Sequence, residues 1–511
     1  WTLIHRSGST RHSVRRTVLC GVAMMVASMK VAYAVGGSRG DTQPHIAFAV
    51  ELARVGYEVR LWIPRDYESL VPKIKGLSVY HSHRTVASNL ERMAPFIATG
   101  KMNDAFGEMF AIQAEQFGSD ADSVRAMCEG WADILIYNGV LGHIAISVSE
   151  VLMLKVIAVN VQPMLPTREA FPMGGKMKLP KFLHLFFWWL LMSKLAFPAV
   201  LQRAIAEWKA ANGCKLPPLD PWECIYRFNV PNIFGFSPAT FAPPADWAAL
   251  DYEVTADWVL SADDLPERPS PELARFLTAK LEPPFYVGWG SMAHESGGYM
   301  TELAVRALYG IGKRGIVFAG STGSELFRLG LDRLDSTKPD AAAVLAWAEE
   351  NILVTSGVSH EWLLPKCAAA VHHGGAGTSA ACFRSGVPSI VTPFNFDQFT
   401  FARLAVEQGL GPGPLPEFKA VTPQVLGAAL LAAAQEPQYR AAATVLREKM
   451  KLERGTKLAV EAFERLRNRD IWKEEAKRQQ CGVPYAVTPP SFFCCLESKQ
   501  ARAIGPAGPV A

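Results

Sequence analysis

Paired cysteines and clustered basic residues are both missing from this 511-residue chain. Its nine cysteines stand singly apart from the adjacent Cys494 and Cys495, and no two have Cys-x-x-Cys spacing. Neither a zinc site nor a disulfide framework is therefore predicted, and a reducing, cytoplasmic setting is expected.

The net charge is only +4, and no lysine- or arginine-rich block stands out. Nucleic-acid binding is not expected from such a charge pattern.

An uninterrupted apolar run of membrane-spanning length is also missing. The most apolar stretch, residues 182–200, is interrupted by a histidine, a serine, a lysine and a proline. Two interpretations stay open: a helix that touches lipid, or an ordinary buried helix.

Residues 1–28 combine four arginines with a short apolar run, as targeting segments do. Because cleavage after that run would cut into the next strand, we predict a disordered extension there.

Apolar runs alternate with helical periodicity along the rest of the chain. Residues 31–35 form an apolar run that ends in a glycine-rich turn, residues 36–41. Helical spacing follows over residues 44–55, and another apolar run covers residues 59–63. This is the strand–helix–strand opening of a doubly wound α/β sheet, and a second such opening begins at residue 284.

These two openings define the predicted domains. We expect an extension over residues 1–28, a Rossmann-like domain over 29–260 and a linker over 261–283. A second Rossmann-like domain is expected over residues 284–475. Residues 476–511 contain proline, glycine and cysteine without periodicity, which predicts a disordered tail.

The most informative segment covers residues 371–398. An apolar run leads into His372-His373-Gly374-Gly375-Ala376-Gly377-Thr378, which opens a helix, and Asp397-Gln398 follows the next strand. Backbone N–H groups at such a turn approach phosphate oxygens closely, and the helix N-terminus favours their negative charge. The His373 imidazole and the Thr378 hydroxyl can donate to the same oxygens. A carboxylate beside an amide suits sugar hydroxyls, so the segment predicts a nucleotide-sugar site.

At these residues the chain resembles a known family. HHGGAGTSAACFRSGVPSIVTPFNFDQ is similar to the donor motif of sterol glucosyltransferases and of the related antibiotic glycosyltransferases. VGGSRGDTQPHIAFAVELARVGYEVRL resembles the opening of the same group, and QPMLPTREAFP, FGFSP and YVGWGSM resemble the sterol glucosyltransferases between them. The resemblance covers roughly residues 31–467. It implies the GT-B fold, with two Rossmann-like domains facing across a cleft and a final helix of residues 284–475 that returns to the first domain. It also implies inverting transfer of glucose from UDP-glucose to a sterol or similar hydrophobic acceptor.

The resemblance also assigns residues to the donor. The residues expected at the diphosphate are Ser291, His373, Gly375, Ala376, Gly377 and Thr378. Those expected at the sugar hydroxyls are Asp397 and Gln398. The nucleotide base is expected at the turn over residues 358–360, with no single contact chosen. No cofactor or metal is expected, because the Asp-x-Asp pair Asp120 and Asp122 is interpreted as helix-start capping.

Asp41 is the candidate general base. It ends the N-terminal glycine loop (Gly37, Ser38, Arg39 and Gly40), and relatives with a Gly-x-Arg-Gly-Asp loop use the aspartate to take the acceptor proton. The alternative is a helix N-cap before residues 44–55, and both roles can coexist. His143 is expected to orient or polarise Asp41, or equally to be a core or helix-start histidine. Arg168 is expected to line the cleft on the acceptor side.

Three departures from the family put the sugar preference in doubt. Phe396 stands where the family usually has glycine, Phe399 where it often has proline, and Trp289 where phenylalanine is more usual.

Four other functions are alternatives to glucose transfer to a sterol. A dehydrogenase is set aside, because the glycines do not follow G-x-G-x-x-G and no acidic residue ends residues 59–63. A nucleotide-sugar epimerase would lack a large apolar acceptor site. Transfer to another lipid or natural-product aglycone, and a non-catalytic lipid- or nucleotide-sugar-binding relative, stay open. Peripheral contact with a membrane is an open expectation as well.

Overall fold

The computed structural model describes residues 29–476, with gaps at 83–84, 99–100, 170–179, 192–196, 262, 266–268, 291–295, 321–324, 358, 395–396, 417 and 475. The predicted extension, nearly all of the predicted tail, Ser291 and Phe396 therefore lie outside the described residues.

The strands and helices alternate as the sequence predicts for an α/β protein. The strands are β1 (Lys30–Ala34), β2 (Glu58–Ile63), β3 (Leu77–His81), β4 (Ile134–Asn138), β5 (Lys155–Asn160), β6 (Asn232–Phe234), β7 (Tyr252–Val254), β8 (Phe285–Gly288), β9 (Gly315–Phe318), β10 (Ile352–Thr355), β11 (Ala370–His372) and β12 (Ser389–Val391). The helices are α1 (Arg39–Arg54), α2 (Val86–Ala98), α3 (Met102–Cys128), α4 (Gly142–Leu152), α5 (Lys181–Trp189), α6 (Ala199–Ala211), α7 (Pro221–Arg227), α8 (Pro271–Thr278), α9 (Gly297–Gly310), α10 (Ala341–Asn351), α11 (His360–Leu363), α12 (Ala376–Ser385), α13 (Gln398–Glu407), α14 (Pro423–Gln435), α15 (Pro437–Lys451) and α16 (Gly455–Leu466).

The strands form two parallel sheets. The first has the order β3-β2-β1-β4-β5-β6-β7 and the second β10-β9-β8-β11-β12. In each sheet the chain starts near the middle, at β1 or β8, builds outward to one side and then crosses to the other side. A crevice opens at the carboxyl ends of the strands where the order reverses, and ligands bind there in open α/β sheets. The loops after β1 and β11 therefore lie at ligand-binding positions.

Both sheets are covered on two faces by apolar side chains. Residues of β1 alternate between two buried clusters, with Ala32 and Ala34 in one and Val31 and Tyr33 in the other. The second sheet is likewise enclosed between two clusters. Because both faces are buried, these strands read as continuous apolar runs instead of alternating ones.

The last helix crosses back to the first sheet. Phe463 of α16 packs edge-on against Tyr57, with ring centroids 5.2 Å apart. Ala459, Val460 and Ala462 lie in the same buried cluster as β1 and α1. Beyond α16, the Trp472 indole donates to the carbonyl oxygen of Leu154 at 3.0 Å. The chain therefore links its two halves a second time through this crossing.

Two sequence-based interpretations of local structure are wrong. Residues 182–200 do not form one helix, because α5 ends at Trp189 and Pro198, in an extended conformation, starts α6. Asp120 and Asp122 lie deep inside α3, where they do not cap a helix start. Asp120 accepts from the Ser82 hydroxyl at 3.1 Å, and Asp122 accepts from the Trp208 indole at 2.8 Å. Among the described residues, none of the helices has the length and apolarity to cross a membrane.

Candidate active site

The loop after β1 places Asp41 in the first turn of α1. Ser38 is the residue that caps the helix, and the Asp41 Oδ2 accepts from the Ser38 backbone N–H at 2.8 Å and from its hydroxyl at 2.9 Å. The alternative interpretation, in which Asp41 itself is the N-cap, is therefore wrong, since Asp41 is the third helical residue and binds back to the cap. Gly37 has a φ of +103°, and a Cβ there would lie 2.6 Å from the Asp41 Oδ2. Burial raises the pKa of Asp41, while the bonds from Ser38 lower it.

Asn138, at the end of β4, holds this loop against the sheet. Its side-chain Oδ1 accepts from the Gly36 N–H at 3.0 Å, and its Nδ2 donates to the Gly36 carbonyl at 2.8 Å. Asn138 is buried and lines the same cavity as Asp41. The sequence interpretation missed this residue, although a polar side chain that ends an apolar strand is a signal of a strand-end site.

The His373 ring is enclosed between two glycines, Gly290 in the loop after β8 and Gly375 in the loop after β11. A Cβ at Gly290 would lie 2.6 Å from the ring Cε1, and a Cβ at Gly375 would lie 2.4 Å from its Nε2. The ring also stacks on Phe394, with centroids 6.1 Å apart and planes 27° from parallel. Gly375 of this motif is thus required by the imidazole as well as by any phosphate, and Gly290 is required by the imidazole.

Burial lowers the pKa of His373 to about 4, so the ring is neutral near pH 7. Its Nδ1 is buried and has no hydrogen-bond partner among the described residues. A neutral imidazole can donate from one nitrogen, so His373 can bind a ligand oxygen without carrying charge itself.

His372, which the sequence interpretation left without a role, shapes the same loop. It is fully buried at the end of β11, and burial lowers the pKa of the ring to about 3. Its Nδ1 accepts from the Gly374 N–H at 3.2 Å, and Gly374 has a φ of +92°. The neutral ring therefore fixes the turn that follows it.

The two loops meet face to face. A Cβ at Gly377 would lie 3.2 Å from both the Cα and the carbonyl oxygen of Gly40. Gly40 lies in the first turn of α1 and Gly377 in the first turn of α12, so the N-termini of two helices converge on one cavity. Helix N-termini present unpaired N–H groups and a positive dipole end, which favours anions between them.

Asp397 and Gln398 lie at the start of α13. The Gln398 Oε1 accepts from the Phe394 N–H at 2.9 Å and its side chain is buried. Burial, together with the negative charge of Asp41, raises the pKa of Asp397 to about 7. The two carboxylates, from opposite halves of the chain, therefore lie near enough to influence each other.

One cavity of about 1500 Å³ is lined by Asp41, Asn138, His373, Asp397 and Gln398 together. The predicted residues that line it are Gly37, Ser38, Arg39, Gly40, Asp41, His143, His373, Gly375, Ala376, Gly377, Thr378, Asp397 and Gln398. Away from the loops its wall is largely apolar and comes from the first half of the chain. Members of that wall include Met93, Phe106, Met109, Phe110, Ile112, Ile144, Met164, Trp188, Leu191 and Trp222.

Other predicted residues are placed as follows. The His143 ring stacks in parallel on Phe197, with centroids 5.0 Å apart. Arg168 was expected to line the cavity, but its side chain is exposed and the neighbouring Thr167 lines the cavity instead. The backbone N–H of Arg168 donates to Asp246 at 2.8 Å, so this residue contributes to the local structure of the chain instead of to the cavity wall. Trp289 is a buried core residue whose indole donates to Thr392 at 2.8 Å.

The turn expected at the nucleotide base borders the cavity through Ser359 and His360. The His360 Nε2 and the Tyr286 hydroxyl are hydrogen-bonded at 2.8 Å. No group of three or more histidines, cysteines or carboxylates in the described part of the chain is arranged to hold a metal ion.

Comparisons with known proteins agree with this geometry. The model of the glycosyltransferase family 28 N-terminal domain matches residues 31–170. The model of the erythromycin biosynthesis protein CIII-like C-terminal domain matches residues 338–461. A sterol 3-beta-glucosyltransferase of Debaryomyces hansenii is 29% identical over 444 residues, which cover 84% of this chain and 26% of that protein. A sterol 3-beta-glucosyltransferase of Arabidopsis thaliana is 26% identical over 452 residues, which cover 86% of this chain and 68% of that protein.

Solved structures support the fold. The glycosyltransferase of kitacinnamycin matches with a TM-score of 0.59 at 19% identity, covering 86% of this chain and 99% of that one. The chain spans about a quarter of the Debaryomyces relative and about two thirds of the Arabidopsis one. Two parallel sheets with facing loops, the matching domain models and the similarity along most of the chain lead to one conclusion: the chain has the GT-B fold and is similar to sterol 3-beta-glucosyltransferases over most of its length.

Proposed function

We propose that the chain is an inverting glycosyltransferase that moves glucose from UDP-glucose to the hydroxyl of a sterol or similar hydrophobic acceptor. One observation carries the proposal: a single cavity joins Asp41 to the loop around His373 and to Asp397, and continues along an apolar wall. Such a cavity accommodates a polar donor at one end and an apolar acceptor at the other. The names of the similar sterol glucosyltransferases support the same pairing.

The donor half of the proposal rests on the α12 N-terminus. Backbone N–H groups of the first turn of α12, the Thr378 hydroxyl and neutral His373 are the donors proposed for the diphosphate. Negative charge grows on the diphosphate as the bond to the anomeric carbon breaks, and fixed donors in a cavity stabilise that charge most effectively. We propose that these donors, and no bound metal ion, supply the stabilisation. Asp397 and Gln398 are proposed to bind hydroxyls of the transferred sugar.

The acceptor half rests on Asp41. Two bonds from Ser38 fix its Oδ2, which orients the carboxylate at the cavity wall. As the acceptor oxygen forms its bond to the anomeric carbon, Asp41 takes the hydroxyl proton and the bond to the diphosphate breaks, releasing UDP. Attack from the side opposite the leaving group inverts the anomeric centre. General-base help of this kind typically contributes about 10²–10⁴-fold to the rate.

An exposed aromatic side chain on α5 supports peripheral membrane contact. Phe182, on α5, is 73% exposed, while Trp188 on the same helix is buried and lines the cavity. We propose that α5 lies against a membrane from which a hydrophobic acceptor is taken, on its cytoplasmic side.

Product analysis tests the function. The protein is incubated with UDP-glucose and a panel of sterols and other hydrophobic alcohols, and the lipid fraction is analysed by mass spectrometry and NMR. A β-glycoside of at least one acceptor, with equimolar UDP, is expected. UDP binding without product across the whole panel would indicate the non-catalytic alternative. Conversion of UDP-glucose to another UDP-sugar without an acceptor would indicate an epimerase.

A further inference from the structure

Arg384 joins the two halves of the chain from inside the candidate site. It lies on α12, whose first turn is the proposed diphosphate site, and its guanidinium pairs with the carboxylates of Asp257 and Glu361. Asp257 follows β7 in the first half of the chain, whereas Glu361 lies on α11, beside the turn proposed for the nucleotide base. All three side chains line the cavity. Arg384 therefore links α12, the helix proposed to bind the donor, to the first domain through its ion pair with Asp257.

Asp257 is held firmly in the direction of Arg384. The Ser237 N–H donates to its Oδ1 at 3.1 Å. Ala256, directly before it, is buried and has a φ of +68°, a conformation that non-glycine residues adopt only where the surroundings impose it. Gly455, where the chain crosses back, packs so closely that a Cβ would lie 1.9 Å from the Asp257 carbonyl oxygen. These contacts leave the Asp257 carboxylate little freedom to turn away.

The next residue connects this pair to the helix of the proposed base. The Trp258 ring packs against His45, with centroids 5.3 Å apart, and against Phe48, with centroids 4.9 Å apart. Both partners lie on α1, the helix whose first turn contains Asp41. The ring also approaches Gly235 closely, since a Cβ there would lie 2.6 Å from it. A continuous path of packed side chains thus runs from α12 to α1.

We infer that Asp257 and Arg384 are positioning residues that align Asp41 with the donor. The inference rests on the proposed function. The close approach of Gly40 to Gly377 sets how near α1 and α12 can come, and the ion pair holds them in that approach. An uncompensated buried carboxylate or guanidinium is costly, so the paired arrangement strongly favours this one orientation of the domains. Neither side chain takes part in proton transfer or in diphosphate binding.

The test compares two matched substitutions. Asp257→Asn removes the interdomain pair, and Asp264→Asn removes the pair of Asp264 with Arg54, which lies in the last turn of α1. The two aspartate side chains are similarly buried, 11% and 9% exposed. We expect Asp257→Asn to lower kcat about 10- to 100-fold while KM for UDP-glucose changes less than ~3-fold, because misplacement slows chemistry more than it weakens ground-state binding. Asp257→Glu keeps the charge and is expected to recover part of the loss.

A second readout does not require turnover. Hydrogen exchange of residues 39–54 is measured with and without UDP. UDP binding is expected to slow exchange in the wild type and in Asp264→Asn, but not in Asp257→Asn. Equal kcat losses in both variants, a rise in KM with unchanged kcat, or UDP protection of residues 39–54 in Asp257→Asn would each overturn the inference. A wild type that binds UDP but yields no glycoside contradicts the proposed function instead, and the exchange comparison still decides the alignment.

Discussion

The carboxylates of Asp41 and Asp397 come from opposite halves of the chain and influence each other across the cleft. Asp41 lies in the first turn of α1 and Asp397 at the start of α13. Burial is the main cause that raises the pKa of Asp397 to about 7, and the negative charge of Asp41 adds to it. The charge of Asp41 therefore disfavours ionisation of Asp397 in the cavity that both residues line.

Replacing Asp41 separates binding from chemistry. Asp41→Asn should leave UDP affinity within about twofold but lower kcat by about 10²–10⁴-fold, because an amide accepts no proton from the acceptor. Calorimetry with UDP and steady-state kinetics measure the two effects. Asp133→Asn is the control, since Asp133 also accepts a backbone N–H, from Lys30 at 2.8 Å, but does not line the cavity. Full activity in Asp41→Asn would show that another group takes the proton.

Replacing Asp397 changes how stability depends on pH. Its pKa is about 7 in the folded protein against an ordinary value of 3.8, so the folded state binds the extra proton. The free energy of unfolding therefore loses a contribution as pH rises from about 4 to 7, and the full penalty is present above 7. Asp397→Asn removes the penalty. At pH 8 the variant should be more stable than the wild type, by at most about 4 kcal/mol, since each pKa unit corresponds to about 1.4 kcal/mol.

Denaturant unfolding at pH 5 and pH 8 measures this effect, and the gap between variant and wild type should be larger at pH 8. Asp340→Asn serves as the control, because Arg306 lowers the pKa of Asp340 below its ordinary value. That contribution is constant between pH 5 and 8, so the control gap should not change. A constant gap for Asp397→Asn would contradict the raised pKa. Removing the nearby charge with Asp41→Asn should move the transition of Asp397 to lower pH.

A single methyl group should disturb the diphosphate site. In Gly375→Ala the Cβ would lie 2.4 Å from the His373 Nε2, so the ring must move away from its place beside the α12 N-terminus. We expect UDP affinity to fall by roughly tenfold or more, as for loss of a hydrogen bond to a charged group. Gly118→Ala is the control: a Cβ at Gly118, inside α3, meets nothing within 4 Å. That change should instead stabilise the protein by about 0.5–1 kcal/mol without altering UDP affinity.

Much of the fold could be predicted from local sequence. Buried parallel strands are continuous apolar runs in the sequence. The loops after β1 and β11 need glycine, because Gly37 and Gly374 have a positive φ that other residues rarely adopt. Those features predicted the α/β class, and the resemblance of the motifs implied the GT-B fold and a similarity to sterol glucosyltransferases. The class, the fold and the similarity are confirmed. The roles assigned to single site residues stay predictions, although the described ones among them, apart from Arg168, line one cavity.

The sequence by itself determined where the glycine-rich turns, helix starts and strand ends of the proposed nucleotide-sugar site lie, because these are local patterns. It did not determine how the segments meet. The approach of Gly40 to Gly377, the pairing of Arg384 with Asp257, and the exposure of Arg168 depend on contacts between residues far apart in the chain. No local pattern encodes such contacts, since they follow from how two separately folded sheets pack together. Only the tertiary structure could decide that Asp41 faces the donor loop.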